Sequence, residues 1–164
     1  MIKQAIIPLA GLGTRLLPLT SVFAKELLPI NGKPGLEYII DECIEAGIKE
    51  IIFIISNKKI MIKNYFNNDA FFKKIIKKKK DKRISNEYKK ILKYKKMIKF
   101  VYQNNPRGTG DAVLKAKKFI KDSYFLMLLP DDLIIKKNCS KAMISVHKKY
   151  KSSVMASMNV NKKT

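Results

Sequence analysis

The 164-residue sequence predicts an α/β fold, an open, mainly parallel sheet with helices on both faces. Three observations carry the prediction. Short β-branched runs alternate with stretches whose apolar residues recur at helical spacing. The runs are continuously apolar, as strands covered on both faces are. The unusual segments, rich in glycine, proline and acid, follow those runs directly, where open parallel sheets carry their binding loops. The length is that of one domain with room for a proper core, and no period of about 20 to 50 residues repeats.

The first strand is expected at 3–8, "KQAIIP". It imitates a short secretory signal, with Lys3 ahead of an apolar stretch, but Gln4 and Pro8 interrupt it and Arg15 follows at once, so it reads as a buried strand. A glycine-rich turn comes next, "AGLGTRLLPL" at 10–19, and then a proline-bounded segment, "AKELLPINGKP", too polar at its front for a strand. In "GLEYIIDECIEAGI" the residues Leu36, Ile39, Ile40, Cys43 and Ile44 share one helical face, and Gly47 closes the end.

A second strand is expected at 50–56, a helix at 58–66 and a third strand at 98–102. Between them, 69–96 is lysine-laden, with Phe71, Phe72, Ile75, Ile76, Tyr88, Ile91 and Leu92 at helical spacing. The whole of 57–97 reads as a helical insertion longer than a plain crossover requires. Then follow a helix at 109–120, a strand at 124–129, a helix at 139–150 and a fifth strand at 153–159.

The formal charge of +22 resembles that of a nucleic-acid binder, yet it comes from 32 Lys against 3 Arg, in a chain with 23 Ile and 11 Asn. A nucleic-acid surface is expected to add Arg, which forks onto phosphate, and rings that stack on bases. The densest run, "KKIIKKKKDKR" at 73–83, has Phe71 and Phe72 beside it but reads as a solvated face; no specific nucleic acid is expected as a partner. Cys43 and Cys139 form no metal-ligand spacing and suit a reducing, cytoplasmic setting. Nowhere do 18 consecutive apolar residues occur, so no membrane span is expected.

The glycine turn fails both common phosphate motifs. A dinucleotide fingerprint needs glycine where Leu16 stands, and no GK[ST] follows for a P-loop. It still offers backbone N–H groups at Gly11, Leu12, Gly13 and Thr14 for an anion, with Arg15 beside them. A plain glycine turn next to a surface arginine is the alternative. Lys25 could reach a phosphate as a point charge. "PDD" ends the fourth apolar run. Asp131, first out of the strand, should aim into the cleft, where a carboxylate can hold Mg²⁺ against nucleotide phosphates, or it could merely cap a turn. Asp132 points the other way. His147, on a helix with Ile144 and Lys148, reads as structural or surface, and no Ser/His/Asp constellation can be assembled around it.

Together "AGLGTRLLP", "KELLP…GKP", "QNNPRGTGDAV" and "LPDD" resemble the bacterial UTP:glucose-1-phosphate uridylyltransferase family, within the wider sugar-phosphate nucleotidyltransferases. The resemblance runs in order over essentially the whole chain. Ala10, the Lys25-Glu26 pair and the long insertion look like the uridylyl branch; the thymidylyl branch more often has "GG" before its "GTR" and Gln after the lysine.

The resemblance implies a Rossmann-like fold of the nucleotide-diphospho-sugar transferase type, with 1–164 as a single nucleotidyltransferase domain, incomplete at its C-terminal side. Family members run on further, and the continuation supplies the sugar pocket and a second metal-binding carboxylate. It implies that Ala10 and Gly11 line the base pocket and that Gly13, Thr14 and Arg15 hold the triphosphate. Lys25 neutralises charge at the reacting centre, Gln103 and Gly108 read the uracil, and Asp131 takes the Mg²⁺. Arg15 and Lys25 are thus the expected catalytic pair, UTP and glucose 1-phosphate the substrates, and a homo-oligomer the full-length form. Gln103 could instead simply cap its loop.

The sequence departs from the family pattern in four places: Ser21 and Ala24 replace the usual Lys and Pro, Gly35 a larger apolar residue, and Asp111 a common His. Alternatives to uridylyl transfer are a related thymidylyl-type enzyme, a nucleotide-binding fragment without turnover, and a polyanion binder.

Overall fold

The computed structural model describes residues 2–105 and 107–159. Its main sheet has four parallel strands in the spatial order β5-β4-β1-β6: β1 Gln4–Pro8, β4 Glu50–Ile55, β5 Ile98–Tyr102 and β6 Leu126–Met127. The two central strands are β1 and β4, and β1 is paired along its whole length, Gln4 opposite Glu50 through Pro8 opposite Ile54. They hold the residues with the strongest reason to be there, since Ala5, Ile6, Ile7 and all five of Ile51–Ile55 are fully buried.

Successive side chains of a strand point to opposite faces, and both faces are covered. Ala5, Ile7, Ile51, Phe53 and Ile55 face a core supplied by α1 (Gly35–Glu45), α2 (Ile60–Asn67), α4 (Lys82–Met97) and α6 (Cys139–Tyr150). Ile6, Ile52 and Ile54 face a smaller core closed by Ala112 and Ala116 of α5 (Thr109–Ala116). Each fully buried Ile or Phe contributes about 1.5–3 kcal/mol, so the helical face with the larger core carries most of the apolar stabilisation. On α1, Leu36, Ile39, Ile40 and Cys43 are buried as their spacing predicts, with Ile44 packed partly against them.

Between β4 and β5 run α2, α3 (Asp69–Lys79) and α4. The side chain of Asp81 starts α4 by accepting from the N–H groups of Arg83 and Ile84. The seam that fastens this layer to α1 is polar. Glu37, buried, accepts from Tyr65 Oη and from Lys90 Nζ; Asp41 accepts from Tyr94 Oη and Lys33 Nζ. Burial, followed by these carboxylates, pushes both tyrosine hydroxyls far above their ordinary range. In the lysine run, Phe72 stacks on Tyr88 with ring centroids 5.4 Å apart, and Lys73, Lys74 and Lys77–Lys80 are exposed. Of the two rings beside the charges, Phe72 is therefore packed against α4, and Phe71 is 56% exposed.

A short hairpin precedes α1: β2 (Pro29–Ile30) and β3 (Lys33–Pro34) pair antiparallel across Asn31-Gly32, both at positive φ. That turn favours Asn-Gly because only small or αL-tolerant residues accept two successive positive φ angles.

Two expectations fail on the β6 side. The run 124–129 yields a strand of two residues, and 153–159 forms no strand, leaving Met155 88% and Met158 82% exposed. An apolar run becomes a strand only when a neighbour offers a ladder of N–H and C=O groups. β6 spends its two paired residues on Ala5 and Ile6 of β1 and presents no extended outer edge to 153–159. β5 is also an edge strand, so Lys99 and Tyr102 are exposed within a run expected to be buried on both sides.

Candidate active site

All four strands are parallel, so the loops leaving them emerge at one edge of the sheet. The loop after β1, the 3₁₀ turn Lys25–Leu27, the loop after β5 and the loop after β6 meet there around a cleft of about 220 Å³. Ala10, Gly11, Lys25, Gln103, Gly108 and Asp131 all line it. Larger hollows exist, including one of about 410 Å³ beside β6 and α6 lined by Met127, Leu129, Met143 and Met155. Only in the cleft do glycine backbone, amide, ammonium and carboxylate converge among these described hollows.

The glycine loop owes its shape to Gly13, which sits at φ +68°. A Cβ there would come within 3.0 Å of Thr20 Cγ2, so the missing side chain is what lets Thr20 pack against the loop. Thr20 Oγ1 donates to the Gly13 carbonyl at 2.8 Å and pins the turn. Among the described residues the N–H groups of Gly11, Leu12, Gly13 and Thr14 donate to no protein acceptor, which leaves them free for an anion. Arg15 follows in the exposed turn Thr14–Leu16. Gly13, Thr14 and Arg15 are outside the lining of the cleft, and Thr14 lines a separate hollow with Leu12, Thr20 and Lys59.

Across the cleft, Lys25 Nζ donates to Asp131 Oδ2 at 2.9 Å. That bond holds the Asp131 carboxyl below its usual range against partial burial, and the charge of Arg15 adds to the effect. Asp132 lines the hollow on the other side of the segment. Gln103 is 3% exposed; its Nε2 donates to Asp111 Oδ2 at 2.5 Å and lies 3.4 Å from the Gly108 carbonyl. His147 stands at the opposite edge, beside Ile2 and Tyr124, its Nδ1 2.8 Å from the Ser152 carbonyl.

Two parts of the site escape a reading of the sequence. Glu26 accepts twice from Lys59 Nζ, at 2.6 and 2.8 Å, and this pair lies buried directly beneath Lys25. Burial draws the Lys59 ammonium below its ordinary range, opposed by the Glu26 charge. Lys59 stands in "SNKK", one lysine among 32, with no local sign that distinguishes it. The second is the grip of Asp111 on Gln103; its signal was the acid at a position where a histidine is common.

Comparison with known proteins gives a consistent result. A family model described as nucleotidyl transferase matches residues 4–164. A UTP–glucose-1-phosphate uridylyltransferase of Mycoplasma pneumoniae is 42% identical over 133 residues, covering 81% of this chain and 45% of the relative. One of Streptococcus pyogenes is 37% identical over 166 residues, covering 97% and 53%. Among solved structures, a UTP-bound UGPase from Acinetobacter baumannii superposes with a TM-score of 0.85 at 34% identity, over 93% of this chain and 54% of that one. A UDP-glucose pyrophosphorylase complexed with UDP-glucose gives 0.74 at 31% identity, over 92% and 55%. The chain spans about half the length of the relatives it matches.

Proposed function

The chain belongs to the nucleotidyl transferase family, and from that premise we propose that it carries the nucleotide-binding portion of a UTP:glucose-1-phosphate uridylyltransferase. The observation that carries this reading is the Lys25–Asp131 pair of 2.9 Å, set at the same sheet edge as the free N–H groups of the glycine loop. The names of the relatives support UTP as the nucleotide and glucose 1-phosphate as its acceptor.

In the reaction a phosphate oxygen of glucose 1-phosphate attacks the α-phosphorus of UTP in line. The new O–P bond forms as the bond to the bridging oxygen breaks, and that oxygen leaves with pyrophosphate. The nucleophile is already an anion, so no general base is required. The barrier comes from bringing two polyanions together and from charge building at phosphorus, both met by positioning and positive charge. The loop N–H groups and Arg15 hold the β- and γ-phosphates. Lys25 exchanges Asp131 for a phosphate oxygen at the reacting centre. Gln103, with backbone groups near Ala10 and Gly108, meets the uracil edge.

Asp131 fits a Mg²⁺. It is a carboxylate on the cleft with 61% of its side chain exposed, and this cation takes one or two carboxylates and completes its shell with phosphate and water oxygens. Among the described residues no cluster of three or more His, Cys, Asp or Glu is assembled for a metal. When bound, the ion supplies charge neutralisation at the phosphates. Two free thiols, at Cys43 and Cys139, support a reducing, cytoplasmic setting, and no described helix is long and apolar enough to cross a membrane.

Calorimetric titration of the 164-residue chain with UTP and with dTTP, in Mg²⁺ at moderate salt, tests the reading. Selective UTP binding that weakens in Asp131→Ala is expected. Equal, strongly salt-dependent heats that ignore the mutation would assign the binding to surface lysines and sink it.

A further inference from the structure

An amide side chain has two chemically opposite ends, an NH₂ that donates and a carbonyl that accepts. Which end of Gln103 faces the cleft decides which base edge the pocket can take, and in this chain Asp111 makes that decision. Gln103 Nε2 points to Asp111 Oδ2 at 2.5 Å and to the Gly108 carbonyl at 3.4 Å. A carboxylate has no proton to offer. Turning the amide over would set its carbonyl against two acceptors and take from Asp111 Oδ2 its donor, so the orientation follows from the chemistry of the neighbours. Both amide protons are spent within the protein. Oε1 receives no hydrogen bond from the described residues and is the polar atom that Gln103 has left for the cleft it lines.

Asp111 is well placed to hold that orientation. It lies in the first turn of α5, where the helix end favours an anion. Lys115 Nζ, one turn along, stands 3.8 Å from its other oxygen. A histidine at this position would present either a proton or a lone pair according to its tautomer, whereas an aspartate presents acceptors alone.

We infer that Asp111 is a positioning residue which locks the Gln103 amide with its carbonyl toward the cleft, so that the base pocket selects a pyrimidine bearing a proton on N3. Uracil and thymine carry that proton between two carbonyls, and cytosine has a bare ring nitrogen there. A fixed carbonyl accepts from the first kind and repels the second. The inference rests on the uridylyl reading and adds to it the residue that imposes the choice.

The test compares dissociation constants for UTP, dTTP and CTP on the wild-type chain and on Asp111→Asn and Asp111→Glu, with Mg²⁺ present. Asparagine keeps the shape but can face Gln103 with either end, so it releases the lock; glutamate still only accepts. The expected result is a UTP/CTP preference that falls about tenfold in Asp111→Asn, the size of one hydrogen bond. UTP and dTTP should weaken together, and Asp111→Glu should keep the preference. The ratio of two nucleotides on one preparation does not depend on the fraction folded, so a loss of stability alone leaves it unmoved. An unchanged ratio in Asp111→Asn, or an equal fall in both variants, overturns the role of Asp111 while the uridylyl reading stands. A wild-type chain that binds CTP as tightly as UTP overturns both.

Discussion

Lys25 and Glu26 are neighbours in the chain, and each pairs with an opposite charge, yet one pair belongs to the rim of the cleft and the other to its floor. On the rim, Lys25 meets an Asp131 whose side chain is 61% exposed. On the floor, Glu26 and Lys59 are 1% and 8% exposed. Water screens the rim pair, so its attraction adds little to the fold, and on the proposed function a phosphate can take the place of Asp131 at small cost. The floor pair has no solvent to fall back on, so removing one partner strands a charge. One 3₁₀ turn thus presents a screened cation above a buried support.

The largest effect should come from breaking the floor. Glu26→Ala leaves the Lys59 ammonium buried and unpaired and is expected to cost about 3–5 kcal/mol in urea unfolding. Joining Glu26→Leu with Lys59→Met should recover most of that, because no charge is then left without a partner. An unfolding curve for Glu26→Ala that overlays wild type would mean that the floor is wet and the contrast false.

The rim should respond in the opposite way. Lys25→Ala is expected to change stability by less than about 1 kcal/mol and to weaken triphosphate binding about 10- to 100-fold, one charge-assisted contact. Calorimetry and a melt on the same sample separate the two quantities. Asp131→Asn sharpens the point by acting with two signs. With Lys25 released, UTP should bind a few-fold tighter in chelator and lose its response to Mg²⁺, by the same exchange of partners.

The seam between α1 and α4 gives a third, smaller comparison. Tyr94→Phe removes the hydroxyl that donates to Asp41, but Lys33 still reaches that carboxylate, so the loss should be about 1 kcal/mol. The smallest effect is that of pH on the rim pair. The folded Asp131 carboxyl titrates below its ordinary range. Its contribution is therefore complete above the unfolded value and disappears as pH falls through the folded one. The melting temperatures of wild type and Asp131→Asn should converge over that acid window; curves that stay parallel would show that the pair adds nothing to stability.

Much of the architecture was legible in the chain because it is a matter of neighbours in sequence. β4 is a run of β-branched and aromatic residues, and α1 has its apolar residues three and four apart; both follow from local periodicity. The order of loops after strands brought Gly11, Gln103 and Asp131 to one edge before any coordinates. The strand expected at 153–159 failed because pairing needs a partner, which no property of "SVMASMN" supplies. Lys59 was illegible for the related reason that burial, and not residue type, separates it from the other lysines. Asp111 stood out as a departure, but its meaning depended on which atom of Gln103 it touches.

The alternation of strands and helices, the parallel sheet that follows from it, and the residue types gathered at one edge of that sheet could be read along the chain, because periodicity and turn chemistry act over a few residues. Which charges are buried and which way an amide faces were settled in three dimensions alone. Those depend on distance and on access to water, and both are set by parts of the chain far apart in sequence, as Lys25 and Asp131 are.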